Sequence, residues 1–190
     1  MANVDAYTGF QPIGHFGGGL VRTEMFKIAS GYSSNIFTGD PVILTAGRVQ
    51  VAAASSTTLI GVFAGCEFLD SSGVPGGRWS PYWPASTTTT GSVAATAYIW
   101  ADPMIVFRCQ SDTTTAYTET THLGTFVDLI ATHAGSTTTG LSGMEADLSA
   151  VGDAQMVVLG MVDEVGNAAG VNAKLRVMFR RNIFKLSAAP

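Results

Sequence analysis

The chain is short of charged residues. Asp, Glu, Lys and Arg make up only 13% of its 190 residues, about half of the share near 25% that soluble domains usually have. Because exposed surfaces need charge to keep proteins apart in solution, we expect part of this surface to be covered by another protein. The net charge of −4 argues against a general nucleic-acid-binding protein, which usually has a basic surface.

Residue patterns typical of catalysis and metal binding are also missing. The chain has three histidines: His15, His122 and His133. None of them has a second ligand at the HxH or HExxH spacing, and the sequence contains no Gly-x-Ser-x-Gly elbow, P-loop or dinucleotide loop. The paired acids Asp163-Glu164 and Glu145/Asp147 lie in loop-like stretches, where solvated carboxylates are expected. The sequence therefore predicts no enzyme, no cofactor and no metal site.

Cysteines and long apolar runs are scarce as well. Cys66 and Cys109 are the only cysteines, and each lies in an apolar, strand-like run, so we expect buried free thiols rather than a disulfide. No apolar run approaches the roughly 18 residues of a membrane helix. The first five residues have neither the basic nor the apolar region of a signal peptide. We therefore expect no membrane partner.

Thr, Ser, Ala and Gly take the place of charge, and Gly alone accounts for 22 residues. Thr favours strands, whereas Gly and Ser mark turns. Strand-like runs separated by turn signals lie at residues 23–28, 42–44, 49–51, 59–68, 95–100, 104–110, 124–131 and 156–162. We predict a hairpin from 42–51, and either a bulge or a barrel bend at the two glycines within 59–68. Residues 145–151 are the only helix candidate. This pattern predicts an all-β fold, either an antiparallel β-barrel or a sandwich.

The clearest strand signal lies near the C-terminus, at residues 172–186. Its apolar side consists of Ala173, Leu175, Val177, Phe179 and Ile183, and its polar side of Lys174, Arg176, Arg180 and Asn182. Such alternation is typical of a strand with one buried face. Five of the ten basic residues lie at or after position 174, and all fourteen acids lie before it. The basic side either contacts an acidic partner or is a solvated face that pairs with acids on neighbouring strands.

Residues 1–19 differ from the rest because they show no periodicity. Four isolated apolar residues are separated by polar residues, Gly and Pro: Tyr7, Phe10, Ile13 and Phe16. This arrangement suits an extended arm that places side chains in pockets of a neighbouring surface, although a disordered terminus is the alternative. We therefore predict an extended N-terminal arm at 1–19 and a β-domain at 20–190.

Three aromatic residues lie between prolines at residues 78–86. These are Trp79, Tyr82 and Trp83. Exposed aromatic residues often mark an interface, but the two tryptophans could equally cap the end of a barrel. A third interpretation is a flat platform for a sugar.

The order of several short motifs resembles a group of tailed-bacteriophage virion proteins, which begin with Ala-Asn-x-Asp-Ala and then Gly-hydrophobic-x-Pro-hydrophobic. The motifs are MANVDAYTGFQPI at 1–13, GDPV at 39–42, IGVFAG at 60–65, WPAST at 83–87, Asp102-Pro103 with Phe107 and Gln110, and NAK at 172–174. They span most of the chain, and each is short, so their common order carries the resemblance. The stretch at 17–20 departs from the family, where a longer insert is expected.

Members of this family are capsid decoration or cement proteins, which lie on the outer surface of the icosahedral head and bridge major capsid protein subunits, often as dimers or trimers. The resemblance implies a β-rich structural protein of the virion without enzymatic activity. On this basis the expected capsid contacts are Tyr7, Phe10, Ile13, Phe16, Lys174, Arg176 and Arg180. The expected self-association residues are Trp79, Tyr82 and Trp83.

Two alternatives come from other functional classes. A tail-tube or head–tail connector protein would share the β-rich composition with little charge. A carbohydrate-binding or hydrolytic β-domain would use Trp79, Tyr82 and Trp83 as its sugar platform.

Overall fold

The computed structural model describes residues 3–6, 8–71, 77–149 and 154–185. Eight strands lie in the first half of the chain: β1 (Gln11–His15), β2 (Glu24–Ile28), β3 (Ile36–Phe37), β4 (Pro41–Thr45), β5 (Arg48–Val51), β6 (Gly61–Phe68), β7 (Arg78–Ser80) and β8 (Tyr82–Trp83). Six follow: β9 (Ala95–Trp100), β10 (Ile105–Gln110), β11 (Phe126–Ile130), β12 (Glu145–Asp147), β13 (Met156–Met161) and β14 (Lys174–Phe179). A 3₁₀ turn (Thr90–Ser92) and the helix α1 (Glu119–His122) are the only helical elements among the described residues.

The strands form two large antiparallel sheets. Sheet I has the order β1-β10-β14-β13-β11-β12, and sheet II has the order β2-β9-β6-β4-β5, with β7 paired to β6. The short strands β3 and β8 form a separate pair. The predicted all-β fold is therefore confirmed, and the described strands form a sandwich rather than a closed barrel.

Two buried clusters hold the sandwich together. One covers the inner face of sheet I and includes Phe107, Leu175 and Val177, together with Leu59 and Val62 from the side of sheet II. The other packs against sheet II and includes Ile99, Phe63 and Trp83. Each fully buried large aliphatic or aromatic side chain stabilises the fold by roughly 1.5–3 kcal/mol. The core therefore depends on strands that lie far apart in the sequence.

The C-terminal strand has the predicted alternation but ends earlier than predicted. Ala173, Leu175, Val177 and Phe179 are all buried, whereas Ile183 is exposed, so its assignment to the buried face is wrong. The reason is that the chain leaves sheet I after Phe179 and crosses to sheet II. There the Leu59 N–H donates to Arg181 O (2.7 Å), and the Ile183 N–H donates to Leu59 O (2.9 Å).

The N-terminal segment is part of the sandwich. Tyr7 lies outside the described residues, but Phe10 is fully buried, and its ring lies 5.4 Å from that of Phe179. Residues Gln11–His15 pair with β10 as the edge strand of sheet I. For residues 10–15 the structure therefore does not show the predicted arm, because these residues are part of the domain. Phe10 fills this chain's own core, so it cannot serve as a surface anchor.

The other local predictions have mixed outcomes. The predicted hairpin is present as β4–β5, and the register of β6 against β9 shifts between Phe63 and Gly65 as predicted. The helix candidate is wrong, because residues 145–147 form β12 against β11; residues 150 and 151 lie outside the described part. No helix in the described ranges is long and apolar enough to cross a membrane.

Candidate interaction surface

Exposed apolar side chains are concentrated where four segments meet at one end of the sandwich. The segments are the β1–β2 loop, the edge strand β2, the β9–β10 turn and the chain after β14. The exposed residues are Phe16, Leu20, Val21, Met25, Met104, Ile183 and Phe184. Three of them, Leu20, Met25 and Phe184, line an open groove, which we call the apolar groove. Its other lining residues are Phe26, Ala101 and Pro103, with Arg22, Glu24 and Asp102 as its charged residues.

Local chain geometry explains why these side chains are outside the core. Along β2, Phe26 is half-buried and Ile28 is buried, so Met25 points outward and is 70% exposed. Phe184 follows the crossing to sheet II, where the side chain of Asn182 donates to Ala101 O (2.9 Å). Its ring lies 6.0 Å from that of Phe26. The groove is therefore built partly on the tie between the C-terminal segment and sheet II.

One wall of the groove is held by His15 and Asp102. His15 Nε2 lies 3.0 Å from Asp102 Oδ2, and Asp102 Oδ1 accepts from the Met104 N–H (2.8 Å). These hydrogen bonds, first that from Met104 and then that from His15, hold the pKa of Asp102 below its usual value despite partial desolvation. The carboxylate therefore remains charged and joins the end of β1 to the β9–β10 turn.

The outer face of sheet II extends the apolar groove as a row of large side chains. Met25 pairs with Tyr98 across β2 and β9, and Tyr98 pairs with Gly65 across β9 and β6. The indole of Trp79 lies over Gly65: a Cβ built there would be 3.0 Å from Cζ2 of Trp79. Trp79 is 60% exposed. Met25, Tyr98 and Trp79, which we call the aromatic row, thus join the groove to β7.

A hydrogen bond fixes the phenol within this row. The Tyr98 hydroxyl donates to Glu67 Oε2 (3.1 Å), and this bond is the main reason why the pKa of Tyr98 lies above its ordinary value. The sequence offered one signal for the row, because Met25 stands among the outward positions of an alternating strand. The cross-strand register was needed to place Tyr98 and Trp79 beside it.

The three aromatic residues predicted for self-association do not share one surface. Trp83 is fully buried; its ring makes an edge contact with Phe68 at 5.2 Å, and its Nε1–H donates to Tyr32 O (3.3 Å). Tyr82 is half-buried and stacks on Phe37 at 5.5 Å. Only Trp79 is widely exposed. Assigning Trp83 to an interface or a sugar platform is therefore wrong, because its indole belongs to the core.

The basic side of β14 meets acids of a neighbouring loop. Glu164 forms ion pairs with Lys174 and with Arg108, the latter at 3.4 Å between Oε2 and NH1. The hydrogen bond from Lys174 is the main reason why the pKa of Glu164 is lowered. Arg180 lies over the ring of Phe126, 4.5 Å from its centroid. Arg176 is exposed beside them, so the charge of this face is partly neutralised within the fold.

Ile13 and Phe16 are the predicted anchors that reach the surface, with exposures of 46% and 65%. Ile13 lies on the edge strand β1. Phe16 is bonded to the β9–β10 turn, because its N–H donates to Met104 O (2.8 Å). Lys174 and Arg176 lie on β14 of sheet I, and Arg180 follows that strand.

Sequence reasoning missed one buried acid that lies beside a histidine. Glu145 is fully buried, and its Oε2 lies 3.0 Å from Nδ1 of His133, so the interpretation of Glu145 as a solvated loop acid is wrong. Asp163 is exposed, as expected for a loop acid. No group of three or more His, Cys, Asp or Glu side chains within the described ranges could hold a metal ion.

Comparison of the chain with protein-family models, with curated proteins and with solved structures found no match. The function therefore has to be argued from the residues and from the geometry of the surface.

Proposed function

We propose that this chain is a structural protein of a bacteriophage virion that decorates and cements the capsid, and that the apolar groove is its contact with the major capsid protein. The observation that carries the proposal is the concentration of exposed Leu20, Met25 and Phe184 in one groove. Apolar patches with a polar rim mark sites of protein contact. The order of motifs that resembles the decoration proteins supplies the partner.

The charge distribution supports the same function. A surface with little charge is covered more easily by a protein partner, because less charge has to be desolvated on binding. Arg22, Glu24 and Asp102 at the groove carry both signs, so they can give orientation to a contact without strong attraction to polyanions. Many modest contacts repeated around a capsid would together give firm attachment.

Self-association is assigned to the other end of the aromatic row. Trp79 is exposed on β7, away from the groove, and tryptophan is among the residues that contribute most to protein interfaces. Replacing Trp79 with Ser should convert dimers or trimers to monomers by light scattering. An unchanged oligomer would remove Trp79 from the interface and leave the groove assignment standing.

The deciding experiment is co-sedimentation of the purified chain with empty heads of the matching phage. Saturable binding at a fixed ratio to the major capsid protein is expected. The double variant Leu20→Ser/Met25→Ser should bind at least about ten-fold more weakly. The reason is that the capsid contact would bury both side chains, and losing them removes more than the 1.4 kcal/mol of a ten-fold change. Val165→Ser is the matched control, because Val165 is fully exposed in a different loop.

The alternatives give different outcomes in the same experiment. Absence from heads, together with recovery in isolated tails at few copies per particle, would move the chain to the tail tube or the head–tail connector. Binding to neither heads nor tails would overturn the virion proposal. A glycan array would then test the carbohydrate-binding alternative, with Trp79 as the exposed aromatic side chain.

A further inference from the structure

His15 has two ring nitrogens that play opposite hydrogen-bonding roles. Nδ1 accepts from the Gly17 N–H (3.1 Å) and from the Gly19 N–H (3.0 Å). Because both backbone groups can only donate, Nδ1 carries no proton. The proton of the neutral ring is therefore on Nε2, which donates to Asp102 Oδ2 at 3.0 Å. Asp102 thus selects the tautomer that leaves Nδ1 free to accept.

The glycine run after β1 permits this arrangement. A Cβ on Gly19 would lie 3.0 Å from Cε1 of His15 and 3.1 Å from Nδ1, and a Cβ on Gly17 would lie 3.4 Å from Cε1. Gly18 between them has a φ of +75°, in the left-handed region. The absence of a side chain at Gly19 and the positive φ of Gly18 therefore favour this close approach of the loop to the imidazole. This accounts for the Gly17-Gly18-Gly19 run, which no phosphate site explains.

The loop also sets one wall of the apolar groove. Leu20 follows Gly19 directly and lines the groove, as does Asp102. The charged group in contact with His15 is Asp102 in the β9–β10 turn. Arg22, which precedes β2, and Glu24, its first residue, line the same groove as Asp102. The two hydrogen bonds to Nδ1 therefore connect the protonation state of His15 to the position of Leu20.

We propose that His15 is an acid-sensitive latch on the apolar groove. Protonation adds a second proton to the ring, on Nδ1. This atom then changes from an acceptor into a donor, and it faces two N–H donors. The bond from Nε2 to Asp102 is kept, so the ring stays in place and the Gly17–Gly19 loop detaches from it. Leu20 then leaves the groove wall. As regulation of capsid binding, this inference depends on the proposed function of the groove; as a change in the loop, it does not.

Nuclear magnetic resonance between pH 8 and pH 5 tests the latch directly. At pH 8 the nitrogen shifts should identify Nδ1 as unprotonated and Nε2 as protonated. On acidification the amide resonances of Gly17 and Gly19 should move with the titration of the His15 ring. The ratio of closed to open loop should fall about ten-fold or more, the factor that corresponds to the loss of two ordinary hydrogen bonds. The latch would be overturned if the amide resonances of Gly17 and Gly19 did not change between pH 8 and pH 5, or if the neutral ring were protonated on Nδ1.

Two variants separate the latch from a merely structural role. His15→Asn keeps an acceptor oxygen near the position of Nδ1 and does not titrate, so its loop should stay closed at both pH values. His15→Phe removes the acceptor, so its loop should be open at both. Asp102→Asn can accept or donate at Nε2 and should weaken the selection of the tautomer. A His15→Asn protein whose loop still opens in acid would contradict the proposal.

Head binding at the two pH values separates this inference from the proposed function. If the groove contacts the capsid, the wild type should bind heads about ten-fold more weakly at pH 5 than at pH 8, while His15→Asn should bind equally at both. Head binding that is unchanged in the Leu20→Ser/Met25→Ser variant overturns the proposed function, whether or not the loop opens in acid. A loop that stays closed at pH 5 overturns the latch, whatever the heads bind.

Discussion

Nδ1 of His133 lies 3.0 Å from Oε2 of Glu145, a carboxyl group in the core of the sandwich. Burial raises the pKa of Glu145 to about 8, and the nearby carboxylates of Asp5 and Asp112 add to this shift. Cys109 on β10 also lies within the field of Glu145. The fold therefore keeps a proton on this acid over a range in which the unfolded chain has released it.

The first prediction concerns the pH dependence of stability. The folded pKa of Glu145 lies above its ordinary value of 4.5, so the folded state binds more protons between pH 4.5 and about 8, and its stability falls as the pH rises through this window. The Glu145→Gln variant cannot lose a proton at this position. Chemical denaturation should show its stability rising relative to the wild type, by a few kcal/mol in all.

Two features of the chain sharpen this test. The pKa of Asp40 is also raised by burial, to about 6, but its contribution cancels in the difference between Glu145→Gln and the wild type, which is measured between pH 6 and pH 8. Asp147→Asn is the matched control, because Asp147 lies on the same strand and is only half-buried. A constant difference between Glu145→Gln and the wild type across this range would show that Glu145 is ionised in the fold.

The second prediction separates two neighbouring tryptophans. Trp83 is enclosed by the core of sheet II, so Trp83→Ser should lower the free energy of unfolding by about 3–5 kcal/mol. Trp79 lies on the surface over Gly65, so Trp79→Ser should cost about 1 kcal/mol or less. Urea denaturation measures both. Equal losses for the two variants would contradict the placement of Trp83 in the core.

The third prediction concerns Gln155, which ties the two sheets together. Its Oε1 accepts from the Leu129 N–H of sheet I (2.8 Å), and its Nε2 donates to Ala54 O (2.7 Å) and Ser56 O (2.9 Å) after β5 of sheet II. Gln155→Ala leaves the buried Leu129 N–H unpaired and should cost about 1–3 kcal/mol in thermal or urea unfolding.

Replacing the amide of Gln155 with a carboxylate tests whether its hydrogen bonds, and not only its packing, stabilise the fold. Gln155→Glu keeps the size of the side chain but replaces the donor with an oxygen facing two carbonyl groups, so it should destabilise the fold at least as much as Gln155→Ala. The half-buried Gln50 of β5 supplies the control substitution Gln50→Ala. If Gln155→Glu were as stable as the wild type, the donated hydrogen bonds would contribute little.

The fourth prediction concerns the two thiols, which are free and buried as the sequence predicted. Burial raises the pKa of Cys66 to about 12 and also raises that of Cys109, with the carboxyl group of Glu145 adding to the second shift. Because the thiolate is the reactive form, neither cysteine should be alkylated by iodoacetamide in the native protein at pH 8. Both should react in denaturant, as mass spectrometry would show. Native labelling of Cys109 would contradict its burial.

Several local features were predictable because they follow from short-range chain geometry. The alternation at residues 173–179 specifies which side of β14 is buried, since successive side chains on a strand point to opposite faces. The hairpin of β4 and β5 and the bulge near Gly65 follow in the same way from turn and glycine signals. These features depend on neighbours within a few residues.

The candidate surface was only partly predictable. Phe16 was expected to be a contact residue and is exposed. The groove of Leu20, Met25 and Phe184 was not predictable, because it requires β2 and the C-terminal segment to meet in space. The basic character of β14 was evident from the sequence. The ion pair of Lys174 with Glu164 was not, because it depends on how the preceding loop folds.

By itself, the sequence determined the all-β class and the buried side of its best strand, because these depend on alternation and on local propensity. Only the tertiary structure decided that Phe10 and Trp83 are in the core while Trp79 is outside, and that Glu145 is buried beside His133. The physical reason is that burial depends on which distant strands cover a side chain. Residues as similar as Trp79 and Trp83 carry no local signal of that choice.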